Sequence, residues 1–313
     1  MEQLKPALTI DEQIVRLQKR GLIIEDVNSA ANFLRLTNYY RFSGYSFLFQ
    51  KPNDQFYKGT TFEQIARLLS FDEDLRKIII TPLEHIEVMA RSVIAHWFSL
   101  AHDRNGGAHY DVSLFDNPEF HAEYMESLNR QIERNSNQPF VLHHIQAFGG
   151  KMPLWCAVEL LSFSTLSKLY SNMLQPDKDL IAANLDTDAA HLTNWLHCFS
   201  ILRNACAHYS RLYKNACTPK ISLDGPFLRA HPDVYQDTLF AYFVALLRII
   251  PDEKSKDILT GQLALFSKKY DDISLDAIGF PENWSEIVLN PKWITLRPVA
   301  PEKKIIPHLS SLT

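Results

Sequence analysis

Residues 72–100 read DEDLRKIIITPLEHIEVMARSVIAHWFSL, and this stretch decides the fold class. Leu75, Ile78, Ile79, Leu83, Ile86, Ala90, Val93, Ile94 and Trp97 recur with a period near 3.6, the spacing of one apolar face on an α-helix. Pro82 interrupts the run. Its ring removes a backbone donor and crowds the preceding turn, so the sequence predicts a kink there, or a restart with Thr81 as cap.

Working outward, the same period recurs on both sides. Thr61 with Gln64 forms a capping box ahead of Phe62, Ile65, Leu68 and Leu69. Thr9 with Glu12 forms another, and Gly21 closes the helix that Ile14, Val15 and Leu17 stripe. A short helix is expected around Ala30 to Leu34. The aromatic stretch from Asn38 to Phe47 alternates in a way that does not decide between helix and strand. Asp103 to Asn117, with Gly106 and Gly107, reads as a loop, and a helix follows over 121–133. A second loop is expected near Phe148 to Pro153. Further helices are expected over 154–173, 179–185, 189–208, 235–250 and 252–270. The tail from Asn290 carries Pro291, Pro298, Pro301 and Pro307 and reads as extended. The chain is all-α.

Composition narrows the function classes. The 313 residues are 46% hydrophobic and 22% charged, ordinary globular usage. With 32 Lys and Arg against 36 Asp and Glu, the net charge is −4, which excludes coating nucleic acid by bulk charge. The longest apolar run, Leu239 to Leu247, stops at Arg248 and is too short to span a bilayer. No signal region follows Met1, and Cys156, Cys198, Cys206 and Cys217 fit reduced thiols, so a cytoplasmic protein without membrane attachment is expected. The spacing of Cys198, Cys206, His208 and Cys217 lacks the short knuckles of a zinc site, and no metal is expected. Phosphate-cradling glycine loops and hydrolase elbows are missing from the sequence.

One segment stands apart, Leu202-Arg203-Asn204-Ala205-Cys206-Ala207-His208-Tyr209-Ser210-Arg211-Leu212-Tyr213. It ends a helix whose core face is Leu192, Trp195, Leu196, Phe199 and Leu202. Asn204 and His208 lie about 40° apart on that helix, whereas Arg203 diverges from His208 by about 140°. Arg203 joins them only through its long reach, a distorted last turn, or a partner chain. Between Cys198 and Leu223 the bases Arg203, Arg211, Lys214 and Lys220 meet no acid, which makes a candidate phosphate-facing patch. On spacing alone, Arg203 and His208 read equally as helix caps or surface pairs.

The run Arg203-Asn204-Ala205-Cys206-Ala207-His208 resembles the R-x4-6-H motif of the HEPN superfamily. Its surroundings resemble the Abi_2 family of AbiD/AbiF-like bacterial abortive-infection proteins. Further matching blocks lie in order upstream: Asn38 to Tyr45, Asp74-Leu75-Arg76, Leu83 to Val88 with Arg91 and His96, and Pro153-Leu154-Trp155 with Glu159. The resemblance implies a HEPN-type helical bundle with additional N- and C-terminal helices. Residues 1–70 would be an N-terminal region, 71–230 the HEPN-like core, and 231–313 C-terminal helices with a Pro-rich tail, in one compact unit. It implies a homodimeric, metal-independent endoribonuclease in phage defence, without cofactor, with RNA as substrate or partner and an antitoxin as a further partner.

Carried onto this chain, the motif residues are Arg203, Asn204 and His208. Imidazole serves as acid or base near neutral pH, and a guanidinium stabilises charge developing on a phosphate. One His per chain falls short of an acid–base pair, which a two-fold dimer would complete. Arg211 and Lys214 supply the basic patch. Glu87 and Arg91, at i and i+4, make either an ordinary salt bridge or a contribution to the site. Tyr40 and Arg41, beside Tyr39 and Tyr45, either stack RNA bases or belong to the core. The rival readings are a non-catalytic module binding a small RNA or protein antitoxin, and an N-terminal helix-turn-helix. The latter is opposed by the balance of Arg16, Lys19, Arg20 and Arg35 against Asp11, Glu12, Glu25 and Asp26.

Overall fold

The stretch that decides the fold class is the middle of one 40-residue helix in the computed structural model, which describes residues 6–289. Fourteen α-helices and no strand occur among those residues. In chain order they are α1 (Ile10–Lys19), α2 (Val27–Thr37), α3 (Tyr39–Ser46), α4 (Phe62–Ala101), α5 (Pro118–Arg134), α6 (Pro139–Phe148) and α7 (Leu154–Leu160). They continue with α8 (Phe163–Ser171), α9 (Gln175–Ala183), α10 (Ala189–Ala207), α11 (Gly225–Ala230), α12 (Leu239–Ile249), α13 (Glu253–Lys269) and α14 (Trp284–Leu289). The expected all-α architecture is the one observed. The Pro-rich tail lies outside the described residues.

Helix α4 is the axis of the fold. Thr61 Oγ1 accepts from the Gln64 amide at 3.2 Å and Gln64 Oε1 accepts from the Thr61 amide at 3.0 Å, closing the capping box. Pro82 neither ends nor restarts the helix. It is buried, and its flanking positions Ile79, Leu83 and Ile86 are buried too, so packing on that face outweighs one lost backbone bond. At about 1.5 Å per residue the helix runs about 60 Å, long enough to touch several layers in succession. Helices α3, α12 and α13 pack against it, as do α10, α7 and α9. Near its start, Arg67 grips Asp272 and the Lys269 carbonyl, and Asp74 accepts from Lys269 and the Tyr270 hydroxyl.

Other boundaries differ from the sequence reading for local reasons. The aromatic stretch is helical. Asn38, at φ +71°, turns the chain between α2 and α3, and its side chain accepts from the Tyr40 amide. The single helix expected over 154–173 is two, because Ser162 breaks the run and caps α8 by accepting from the Thr165 amide. Helix α6 was not anticipated. Its apolar residues are mostly half-buried or exposed, with only Val141 buried, which blurs the period. The longest apolar run forms α12, in which every residue from Leu239 to Leu247 is buried. Each large side chain there contributes about 1.5–3 kcal/mol by leaving water, so this segment is a core helix. No described helix is long and apolar enough to cross a membrane. One hydrophobic cluster extends from Ile14 to Val288.

Candidate active site

Helix α10 sits against α4, α8 and α9, burying Leu192, Trp195, Leu196, Phe199 and Leu202, the stripe read from the sequence. The helix stops where the stripe stops. His208 is its C-cap, and the His208 amide donates to the Asn204 carbonyl at 2.9 Å. Tyr209 then turns left-handed at φ +58°, and the Ser210 amide closes back on the Ala205 carbonyl. The His208 side chain is exposed and makes no hydrogen bond or ion pair with any described residue. An imidazole so placed is accessible to a ligand.

Arg203 follows the 140° divergence and reaches α4 instead. Its Nε lies 3.3 Å from Glu87 Oε2, while Glu87 Oε1 pairs with Arg91 one turn along α4. Arg91 also donates to the Val158 carbonyl of α7. Glu87 is nearly buried and is shared by two guanidiniums, so the three side chains sum to one positive charge at the surface between α4 and α10. Arg203 Nη1 donates to Asn204 Oδ1 at 3.3 Å, and Asn204 Nδ2 donates to Ser164 Oγ of α8 at 3.3 Å. Asn204 therefore braces Arg203 against α8 and does not reach the imidazole. Val88 on α4, Ile201 on α10 and Tyr209 just past it are exposed.

The turn beyond His208 is held from beneath by a buried ionic network. Asp72 of α4 accepts from the backbone amides of Leu212 at 2.7 Å and Tyr213 at 2.9 Å, and from the Tyr45 hydroxyl at 2.8 Å. Arg76, one turn on, lies 3.6 Å from Asp72 and donates to the Ser210 carbonyl at 3.0 Å. Both side chains are buried. Burial pushes the Asp72 carboxyl above the usual carboxylate range, and its donors oppose that push. Burial beside Asp72 also raises the Tyr45 hydroxyl to about 12. Arg211 donates to the Gly44 carbonyl of α3 at 2.8 Å and lies over the Phe47 ring, while Arg41 donates to the Tyr209 carbonyl at 3.2 Å.

The structure thus gathers Arg203, Asn204, Glu87 and Arg91 into one cluster. It sets His208 on the same helix end and uses Arg41 and Arg211 as braces for its turn. Tyr40 is exposed on α3, and Lys214 is exposed at φ +51° just past the clamp. Tyr45 and Phe42 are buried, so the aromatic block is part core and part surface. The sequence reading names neither Asp72 nor Ser164, and it places Arg76 in a matching block without a role. Asp72 and Arg76 carried a signal, being an i, i+4 ion pair on the apolar face of α4, where unpaired charge is costly. Cys198, Cys206 and Cys217 are free thiols; burial raises Cys198 to about 11 and the other two to about 12. No three His, Cys, Asp or Glu side chains converge on a common point among the described residues.

A family model described as Abi-like protein matches residues 32–214. No curated protein and no solved structure matches the chain. The matched span opens within α2, contains α3, the Asp72–Arg76 clamp and the Glu87–Arg203 contact, and closes at Lys214 just after the clamped turn. Covering more than half of the chain, it establishes that this protein belongs to the Abi-like family.

Proposed function

We propose that this protein is a HEPN-type, metal-independent endoribonuclease acting in abortive infection, its cleft completed by a second copy of the chain. One observation carries the reading. A buried Asp72–Arg76 pair and two bracing arginines immobilise the surface turn that follows an exposed His208, which has no partner among the described residues. Burying such a pair costs several kcal/mol in desolvation and contributes little net stability, so its use here is to position the turn.

In this scheme His208 of one copy takes the proton of an RNA 2′-hydroxyl as that oxygen attacks the adjacent phosphorus. The bond from phosphorus to the 5′-oxygen breaks, and the imidazolium of the other copy protonates the departing oxygen. The products are a 2′,3′-cyclic phosphate and a 5′-hydroxyl. Arg203, held by Glu87 and Asn204, stabilises charge developing on the phosphoryl oxygens. Exposed apolar side chains at Val88, Ile201 and Tyr209 support a second copy covering this face, and one motif His per chain supports the need for that copy.

The test is incubation of purified protein, with EDTA, on total cellular RNA, followed by sequencing and chemical typing of the ends. The expected result is cleavage with 2′,3′-cyclic phosphate or 3′-phosphate ends. His208→Ala should lack activity while keeping its melting temperature, and specific activity should fall on dilution through the dimer dissociation range. Retained cleavage by His208→Ala overturns the assignment. Tight RNA binding without cleavage, with a salt slope that falls in Lys214→Ala, would replace it with a binding module.

A further inference from the structure

A groove of about 520 Å³ runs along the second half of α4, opposite α7, starting where the Glu87–Arg91 pair ends. Its size falls within the roughly 300–1,000 Å³ of small-ligand sites. Arg91, His96, Ser99, Arg104, Trp155 and Glu159 are among the residues lining it. We propose that this groove holds one unstacked nucleotide of single-stranded RNA, its base on Trp155 and its phosphate on Arg104. The proposal rests on the ribonuclease reading for its place beside Arg203, and it adds where the flanking base goes.

Four observations point to that occupant. Trp155 is 52% exposed, unusual for an indole in a fold with this much core, and it lines the groove. The ring is nevertheless held. Gly106 packs so closely that a Cβ there would lie 2.6 Å from the Trp155 ring, and the Leu154 amide donates to the Gly106 carbonyl at 2.8 Å. A preset aromatic platform binds a base with little loss of freedom.

Second, the loop that pins Trp155 is strained. Asp103 and Arg104 both adopt left-handed backbone, at φ +55° and +59°, which costs non-glycine residues of order 1 kcal/mol each. Arg104 of this loop lines the groove. Third, Ser99 is 4% exposed, and its Oγ has no hydrogen-bond partner among the described residues, which makes the floor beneath the groove polar. Fourth, Arg91 belongs to both places. It lines the groove and pairs with Glu87, which holds Arg203, so a strand seated in the groove leads directly to the cluster. Arg91 is held by Glu87 and the Val158 carbonyl, so Arg104 is the guanidinium that, beside the Trp155 ring, suits an anion with a flat apolar face.

The experiment uses the full-length His208→Ala protein and a labelled single-stranded RNA of about ten nucleotides, with binding read by anisotropy. Trp155→Ala in that background should weaken binding roughly five- to hundredfold, while Trp155→Phe keeps most of it. Because Trp155→Ala also empties the Gly106 contact, Arg104→Gly provides a second variant that the left-handed backbone favours. It should weaken binding and lower the salt slope by about one. A duplex of the same sequence should compete poorly. Unchanged binding in folded Trp155→Ala and Arg104→Gly, or equal competition by duplex, overturns the proposal. If wild type cleaves RNA but these variants bind and cleave like it, only the groove assignment falls. Trp155-dependent binding by a protein that never cleaves keeps the groove and removes the ribonuclease reading. Absence of any single-strand binding overturns the groove assignment.

Discussion

Arg41 and Arg211 are exchanged between two segments: Arg41 of α3 donates to the Tyr209 carbonyl, and Arg211, just past Tyr209, donates back to the Gly44 carbonyl of α3. Each arginine closes the other's segment, so the two bonds are expected to be coupled. Arg211→Ala also forfeits its place over the Phe47 ring, 4.5 Å from the ring centroid, and should cost about 2 kcal/mol. Arg41→Ala should cost about 1 kcal/mol. The double variant should lose less than the sum, measured by a denaturant double-mutant cycle. Strict additivity would show that the two braces act independently.

The Asp72–Arg76 pair separates stability from positioning. Asp72→Ala leaves the Arg76 guanidinium buried without its carboxylate and should cost about 3–5 kcal/mol. Replacing the whole network, with Asp72→Leu, Arg76→Met and Tyr45→Phe together, should recover part of that loss, because no buried charge is then left alone. The amides of Leu212 and Tyr213 and the Ser210 carbonyl lose their partners in that variant, which keeps it less stable than wild type. Hydrogen exchange at the two amides should accelerate and RNA cleavage should fall, although the variant melts above Asp72→Ala. Full activity in the apolar triple variant would mean the clamp has no role in placing His208.

Glu87 is the shared partner of Arg91 and Arg203. Glu87→Gln keeps its shape but leaves two guanidiniums facing a neutral amide, and should lower stability by about 3 kcal/mol in urea unfolding. Cleavage should fall mainly in kcat, because Arg203 loses the contact that aims it. A change confined to KM would place Arg203 in substrate capture instead.

His109 provides a pH signature. Its Nε2 lies 3.0 Å from the Met152 carbonyl and its Nδ1 lies 2.7 Å from the Tyr124 hydroxyl, a pairing that suits a neutral ring donating through Nε2. Burial pulls its pKa down to about 4. An unfolded histidine titrates near 6.5, so below that pH the unfolded chain binds a proton that the folded chain refuses. Stability should therefore be full above about pH 6.5 and fall by about 3 kcal/mol as pH drops to about 4, with no further loss from this residue below. His109→Gln should flatten that slope in urea titrations across the window. An identical slope in the variant would assign the effect to other groups.

Much of this was legible in local sequence. The caps at Thr9 and Thr61 and the stripe of α10 each depend on residues within a turn or two, and each was read correctly. The break at Ser162 was not, because a strong apolar run concealed a serine cap. The cluster around Glu87 was half visible: Arg91 stands one turn away, whereas Arg203 joins from another helix. Asp72 was missed for the same reason. Its partners Leu212 and Tyr213 come from the far end of the matched region, and no periodicity encodes which distant amides a carboxylate will meet.

The unbroken passage of α4 through Pro82 makes that helix a ruler with a phase. About 22 Å of helix separates Asp72, which sets the height of the His208 turn, from Glu87, which aims Arg203. One inserted residue between them would swing Glu87 by about 100° away from α10, and only about seven, close to two whole turns, would bring it back to its bearing. Even then it would stand about 10 Å too far along the axis. The span between these two acidic residues is thus constrained in length independently of its sequence, and a proline is admissible within it because it leaves the residue count, and so the angle, unchanged.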